Sequence, residues 1–541
     1  METHNAALAG GGEALQILET LDKAKTQGFH FTTIIIAGMG FFTDAYDLIC
    51  VSTVTKLLGR IYFTDPASGM PGTLPPVLNA VVNGIALLGA FCGQLLFGWL
   101  GDKLGRKRVY GVTALLMVCC SIGSALSFGS NPHAVLGTLC FFRFWLGVGI
   151  GGDYPLSATI MSEYANTSTR GAFVGAVFAN QGFGILVSAA IAMVCAAGLR
   201  SCYPAPPFNA NPILSTPPQA DYLWRLVFLF GCVPALLTYH FRTKMPETAR
   251  YTALVVGNTK QAAHDMGQVL HREFGEGDVE ARQHIVSATA IDYHLFSREF
   301  WQRHGLHLLG TASTWFLAGL PWYTLNLFEK DALTAVRWLP PPATMSAIDE
   351  VYRICKAQML IALCSIIPGY WCTIALIDRI GRKPIQMQGF LMMGVLMLAL
   401  GIPYSYWRDK NQIGFMVIYA ITFFFNNFGP NTTTFIVPTE LYPARFRTTC
   451  HGMSAAVGKL GAVLGAFGFS YVSQDRDPSR VDPGYKPGIG PGTTFVILAG
   501  TSIIGLLLTL ILVPETKGRS LEDISGEYTT TKTPAAHFHR R

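Results

Sequence analysis

Charge is what this chain has least of. Of its 541 residues only 13% are charged, 50% are hydrophobic, and the mean hydropathy is +0.35. A soluble domain carries about 25% charged residues, so the composition points to a chain solvated largely by lipid. No Gly-rich phosphate loop ending in Lys-Ser/Thr is present, which argues against ATP as the energy source and, with the lack of any soluble catalytic constellation, against an enzyme. The twelve cysteines sit mostly inside apolar runs without metal-ligand spacing; they read as small apolar filler and imply no metal or cofactor. Only Cys202 and Cys355, at expected outer ends, could meet in a disulfide. Residues 1–27 are polar and hold Glu13, Glu19, Asp22, Lys23 and Lys25, so they do not form a secretory signal. The net charge of +7 is spread over loops and is no nucleic-acid footprint.

What is abundant is long apolar segments. They fall near 31–57, 77–101, 109–129, 134–161, 171–198 and 222–243, then, after a polar stretch, near 305–328, 354–377, 384–405, 412–438, 447–473 and 492–513. About 20 apolar residues cross a bilayer core, so the expected fold is an all-α membrane protein of twelve spans in two six-helix halves. Its parts are a cytoplasmic N-terminus 1–30, a bundle 31–243, a cytoplasmic central loop 244–303, a second bundle 304–514 and a cytoplasmic tail 515–541. The central loop carries His264, His271, His284 and His294, and the tail carries Ser520 and Ser525 beside acidic residues. Oligomerisation is open.

The halves repeat. Gly101-Asp102-Lys-Leu-Gly105-Arg106-Lys107-Arg108 after the second span matches Asp378-Arg379-Ile-Gly381-Arg382-Lys383 after the eighth, 276 positions on. Glu163 and Arg170 recur as Glu440 and Arg447, and Pro246-Glu247-Thr248 recurs as Pro514-Glu515-Thr516. Such periodicity signals duplication, and the halves of major facilitator transporters are related this way. The basic loops belong on the cytoplasmic side by the positive-inside rule, which puts both termini there. Asp102, Arg106, Glu163, Arg170, Glu247, Asp378, Arg382, Glu440, Arg447 and Glu515 are therefore candidate gating residues. In this reading Glu163 with Arg170, and Glu247 with Arg250, extend an ion-pair latch.

Charges within spans are few: Asp44 and Asp47 in the first, Arg143 and Asp153 in the fourth, Lys459 in the eleventh. A carboxylate at mid-span costs on the order of 3 kcal/mol and marks ion or proton paths. Asp153 and Arg143 are separated by about 15 Å of helix rise, so Arg143 is expected to hold Asp44 or Asp47 instead. Uncharged candidates are Tyr154, Gln181, Trp315, Tyr323, Asn426 and Asn427. Pro321 and Gly429-Pro430 are where a helix could break and open its backbone to a ligand. Asn166-Thr-Ser and Asn431-Thr-Thr match the glycosylation triplet but fall on a cytoplasmic loop and inside a span, so both read as chance.

The run GGDYPLSATIMSEYANTSTRGAF (151–173) closely resembles the plant phosphate:proton symporters of the major facilitator superfamily, and so do GMGFFTDAYDL (38–48), GDKLGRKRVYGVT (101–113), NFGPNTTTF (427–435) and VPETKGRSLEDISGE (513–527). The resemblance runs from about 28 to 527 and implies proton-driven phosphate import at the plasma membrane. It assigns phosphate contacts to Tyr154, Gln181, Trp315, Tyr323 and Asn427, with Lys459 supplying positive charge. It assigns proton handling to Asp44 and Asp153, with Asp47 nearby and Arg143 paired with an acid.

One departure stands out. Residues 315–323 read Trp-Phe-Leu-Ala-Gly-Leu-Pro-Trp-Tyr, with Gly319 where the family typically has aspartate. Asn180 and Asn426 are lesser changes. Either transport proceeds with altered coupling, using Asn426 or Asn180, or the protein is a phosphate-binding sensor or weak transporter. A proton-coupled sugar or organic-anion carrier shares the loop motifs. The first reading is preferred, with Asp153 expected to face Gly319 and to carry more of the coupling.

Overall fold

The computed structural model describes residues 28–66, 69–258, 261–262, 264–265, 293–327, 329–478, 481 and 484–526. Twelve long helices dominate, and no strand occurs among the described residues. The first six are α1 (Gly28–Tyr62), α2 (Pro76–Leu104), α3 (Arg106–Ala125), α4 (Pro132–Tyr164), α5 (Arg170–Cys202) and α6 (Ala220–Lys244). The second six are α7 (Arg298–Leu327), α8 (Ala347–Ile380), α9 (Arg382–Gly401), α10 (Gln412–Leu441), α11 (Arg447–Phe469) and α12 (Pro491–Leu512). Eleven have the length and apolarity to cross a membrane; α7 is outside that set. Its 30 residues open with Arg298, Glu299, Arg303, His304 and His307, which dilute its apolar character.

Local chemistry sets the boundaries. Asn131 accepts from Ala134 N at 2.8 Å to cap α4, and Asn411 accepts from Gly414 N at 2.8 Å to cap α10. Such side chains satisfy the orphan N–H groups of a first turn. The repeated Gly-Arg motif has a conformational cause. Gly105 and Gly381 take φ 95° and 114° at the α2–α3 and α8–α9 corners, a region open to glycine. A Cβ there would lie 2.6 Å from Glu247 Oε2 or 2.5 Å from Glu515 Oε2. Those carboxylates accept from Lys107 N at 3.2 Å and from Arg382 N and Lys383 N at 3.1 and 3.0 Å. Each Pro-Glu-Thr motif thus caps a helix of its own half with negative charge at the positive end of the helix dipole.

Packing is backbone-close. Gly147 and Gly151 of α4 face the Ala86 and Ala90 carbonyls of α2, where a Cβ would stand at 2.0 and 2.2 Å. Small residues are how helices approach without a hydrophobic drive between them. Between the halves α2 lies along α11, with Gly452 against Gln94 O, and α5 lies along α8, with Gly182 against Tyr370. Odd-numbered helices start, and even-numbered ones end, at the end bearing the basic loops.

Helix breaks differ from expectation in one case. α10 breaks at Phe428–Gly429, between Gln412–Asn427 and Pro430–Leu441. α7 instead runs through Pro321 as one helix. α8 and α11 each carry a π-turn, Ala362–Ile366 and Gly465–Phe469, a feature common at functional sites. The disulfide option fails: both thiols are free, Cys202 exposed and Cys355 buried. His271 and His284 lie outside the described residues.

Candidate functional site

Midway along the bundle, polar groups from seven helices join in one buried network. Tyr154 OH (α4) donates to Asp44 Oδ2 (α1) at 2.5 Å, and Gln181 Nε2 (α5) donates to the same oxygen at 3.0 Å. Gln181 also donates to Tyr154 OH. Lys459 Nζ (α11) reaches Tyr154 OH at 3.4 Å and donates to Tyr323 OH (α7). It lies 4.5 and 4.8 Å from the centres of those two rings. Tyr370 OH (α8) donates to Gln181 Oε1 at 3.2 Å, and Asn431 Nδ2 (α10) donates to Tyr370 OH at 2.9 Å and to Asn427 Oδ1 at 2.8 Å. The centre therefore holds one ammonium, one carboxylate and a set of hydroxyls and amides.

Two members escaped the sequence reading. Tyr370 was hidden in an apolar run, and Asn431 was set aside as a chance glycosylation triplet. Asn427, proposed instead, uses its amide within α10, donating to Phe423 O at 2.8 Å, and meets the network only through Asn431. The signal for Asn431 was available: it sits one turn beyond Asn427, just after the Gly429-Pro430 break.

Trp315 lies one layer away. Its indole stands 5.3 Å from the His451 ring and 6.3 Å from Phe435. Phe435 stacks on Phe178 at 4.4 Å and meets Phe41 at 5.1 Å. Phe41, Phe178 and Trp315 precede the polar residues on odd helices, and Phe435 follows Asn431 on an even one. Helix direction therefore puts all four on the basic-loop side, as an aromatic floor beneath the network.

The remaining acids take separate arginines. Arg143 donates to Asp47 O at 2.6 Å and stands 4.0 Å from Asp47 Oδ1, so of the two aspartates it takes Asp47. Asp153 pairs with Arg242 of α6, Nη1 to Oδ1 at 2.6 Å. Arg242 is fully buried, a charge overlooked because it lies close to the end of its span. The expectation that Asp153 faces Gly319 is corrected. Asp153 points at Gly40 of α1, where a Cβ would stand 1.6 Å from Oδ2. Gly319 lies against α11, where a Cβ would be 2.6 Å from Gly458 O. An aspartate at 319 would have to push α7 off α11. Asn180 donates to Ala176 O at 2.9 Å and is committed to its own helix. Asn426 is buried with neither side-chain atom hydrogen-bonded.

At the basic-loop end the halves are tied across the seam. Glu163 takes Arg106 at 3.3 Å and Arg447 of the opposite half at 3.0 Å. Asp102 bonds Arg106 at 3.2 Å and accepts from Thr449 N at 2.7 Å, capping α11. Asp378 accepts from Gly171 N and Ala172 N at 3.1 and 2.8 Å, capping α5. Arg382 pairs with Asp378 at 2.8 Å and with Glu440 at 2.7 Å. Two expected pairings differ: Arg170 donates to Arg519 O at 3.0 Å, and Arg250 pairs with Glu522 rather than Glu247. Glu163, Arg170 and Arg250 each take a partner from the C-terminal part of the chain, which adjacency along the sequence does not reveal. Glu247, outside the spans, has its carboxyl pushed up by burial against the pull of Arg106.

The opposite end has its own bridges. Lys330 Nζ, on the short helix Glu329–Ala335, donates to Ser52 O and to Thr55 Oγ1 at 2.8 Å. Arg60 pairs with Glu350 at 2.7 Å, and Thr53 donates to Gln358 at 3.0 Å. The centre is thus buried between two sets of ties.

A family profile described as "Sugar (and other) transporter" matches residues 32–319 and 358–528. The chain is 60% identical over 516 residues to the probable inorganic phosphate transporter 1-12 of Oryza sativa subsp. japonica, covering 95% of each. It is 59% identical over 519 residues to inorganic phosphate transporter 1-1 of Arabidopsis thaliana, covering 95% of this chain and 98% of that one. Among solved structures, the proton:xylose symporter XylE bound to 6-bromo-6-deoxy-D-glucose superposes with a TM-score of 0.69 at 19% identity, covering 92% of this chain and 98% of that one. That likeness shows the fold. With most of its length matched by the profile and by relatives near 60% identity, the chain belongs to the inorganic phosphate transporter family of the major facilitator fold.

Proposed function

We propose that this protein imports inorganic phosphate together with protons across the plasma membrane by alternating access, with both termini and the central loop in the cytoplasm. The observation that carries the reading is the central constellation: Lys459 between Tyr154 and Tyr323, with Gln181, Tyr370 and Asn431 beside it. A phosphate monoanion has hydroxyls that donate and oxygens that accept. Phenols and amides serve both, and a single ammonium offsets one negative charge without a trap that would prevent release.

Coupling follows from Asp44. Its carboxylate is bonded to Tyr154 and Gln181, two of the groups that would hold phosphate. Two anions sharing a low-dielectric site repel, so a bound phosphate favours the protonated acid. Phosphate and proton then occupy the centre together. Asp47 with Arg143 and Asp153 with Arg242 set the helices that carry the centre, and an exchange of Asp153 between Arg242 and a proton is a second point where protonation can enter. The inner ties open only when the outer ones close, which is alternating access in terms of named residues.

The test is uptake of labelled phosphate in cells lacking their own phosphate transporters. The expected result is saturable uptake that rises as external pH falls, competed by arsenate and not by glucose. Binding without uptake would support the sensor reading, and competition by glucose the sugar-carrier reading.

A further inference from the structure

Beside the aromatic floor lies a buried histidine that the central network does not use. His451 of α11 comes eight residues before Lys459, about 12 Å nearer the basic-loop end by helix rise. It follows by one turn Arg447, which pairs with Glu163. Its ring is fully buried and meets Trp315 and Phe435 edge to face, the centres 5.3 Å from each. Its Nε2 is 3.2 Å from Phe435 O. A carbonyl only accepts, so Nε2 carries the hydrogen, and in the neutral ring Nδ1 is left as a lone pair. Nδ1 has no hydrogen-bond partner among the described residues. A buried polar atom in that state is rare and costly, and it points to a ligand. Across the seam, Gln94 of α2 is also fully buried, with neither amide atom hydrogen-bonded among the described residues. Its carbonyl lies 2.4 Å from where a Cβ on Gly452, the residue after His451, would stand. One unmet polar group from each half thus borders the same turn of α11, between the centre and the inner ties.

We propose that His451 and Gln94 form an inner phosphate subsite, occupied after the centre and before release, in which His451 Nδ1 accepts a phosphate hydroxyl and so selects an anion that carries hydrogen. The inference rests on phosphate being the transported ion. At the centre the neutral acceptors are already engaged: Gln181 Oε1 accepts from Tyr370, Asn427 Oδ1 from Asn431, and Tyr323 OH from Lys459. Asp44 Oδ1, which has no partner among the described residues, is the place for the coupled proton. Protonated, it donates. The centre therefore holds a tetrahedral anion whether or not that anion bears hydrogen. His451 Nδ1 differs, because an anion without a hydroxyl sets its own lone pairs against it. A site built to bond a substrate hydroxyl rejects the analogue that lacks it far more strongly than it rejects a change of size. The Gln94 amide supplies a donor for a phosphate oxygen. Both groups are neutral, so the ion is held without a salt bridge and leaves readily.

Exchange of labelled inorganic phosphate by the purified full chain in oriented proteoliposomes, measured separately from the two faces, tests this. The probe is difluorophosphate, a tetrahedral monoanion with fluorine in place of both hydroxyls; arsenate, which keeps its hydroxyls, is the control. At the basic-loop face of wild type, difluorophosphate should inhibit at least about tenfold less well than arsenate. His451→Phe keeps a flat ring and removes the lone pair. It should raise the half-saturating phosphate at that face about tenfold, abolish the preference for arsenate there, and leave the opposite face nearly unchanged. His451→Asn, whose amide oxygen accepts close to the place of Nδ1, should restore most of the preference. Gln94→Leu should weaken phosphate at the same face and keep the preference. Arsenate and difluorophosphate inhibiting equally at the basic-loop face of wild type, a readout that needs no variant, overturns the subsite and leaves the centre standing. A preference unchanged in His451→Phe, or a loss equal at both faces, does the same. No phosphate exchange by wild type overturns the transport reading, and this inference with it.

Discussion

Lys459 is the ammonium at the centre, held between the phenols of Tyr154 and Tyr323. Replacing it by alanine leaves phosphate with no offsetting charge, and a bond to a charged group contributes about 1.5–3 kcal/mol. Lys459→Ala is therefore expected to raise the KM of uptake by at least tenfold; an unchanged KM would remove Lys459 from the site. Asn431 and Asn427 offer a sharper comparison. Asn431→Ala removes the amide that reaches Tyr370 and should raise KM roughly tenfold, as for about 1–2 kcal/mol of lost bonding. Asn427→Ala should act mainly on protein stability, read from thermal unfolding in detergent. The reverse pattern would restore Asn427 as the ligand. Which residues are polar within a span was legible in the sequence, because a polar group in lipid stands out. Which of two asparagines four apart turns inward was not, because the helix break between them resets the face. Arg242 was missed for a related reason: a charge near a helix end looks like an anchor until α4 and α1 are seen to bury it.

Among the helices, the seam between α7 and α11 holds Gly319, where the resemblance to the family led to an expected aspartate. Gly319, Gly458 and Gly461 bring the two backbones together; a Cβ on Gly461 would stand 2.6 Å from Phe316 O. Gly319→Asp is thus no simple gain of a carboxylate. It buries an acid against the Gly458 carbonyl and forces the helices apart. The expected outcome is lower thermal stability and reduced uptake. Uptake and stability equal to or above wild type would mean the seam yields without loss. The departure at 319 was legible by comparison with the family motif. Its consequence was not, because it depends on which helix lies opposite. The helix count, the duplicated corners and the break in α10 were legible, since hydropathy, φ-demanding glycines and Gly-Pro are local signals. The uninterrupted passage of α7 through Pro321 shows packing overriding a local one.

For the molecule as a whole, the ion pairs at the basic-loop end join the two halves, and they are proposed to act as the inner latch. Glu163 faces both Arg106 and Arg447 in a fully buried setting. Removing one partner of a buried pair costs about 3–5 kcal/mol. Glu163→Gln should therefore shift the population toward the inward-open form. A cysteine introduced by Thr448→Cys, at the seam beside Asp102, should then label faster with a maleimide than in the Glu163 background. Equal labelling would mean the network is structural only. The charge content of this end was readable from the chain, but its cross-half pairing was not, since Glu163 and Arg447 are joined by the fold alone.

Proton and phosphate are proposed to enter together. An anion entering a negative cell is opposed by about 2.3 kcal/mol per charge per 100 mV. One proton with one monoanion is electroneutral; the proposed proton handling by the separate acids Asp44 and Asp153 would carry more than one. The direct measurement is membrane current under voltage clamp in cells expressing the protein, on adding phosphate at acid external pH. The expected result is an inward current that saturates with phosphate, shrinks as pH rises and disappears in Asp44→Asn. Phosphate uptake in the same cells with no inward current would contradict the claim of excess protons, and a current undiminished in Asp44→Asn would contradict the assignment of the coupling to the centre.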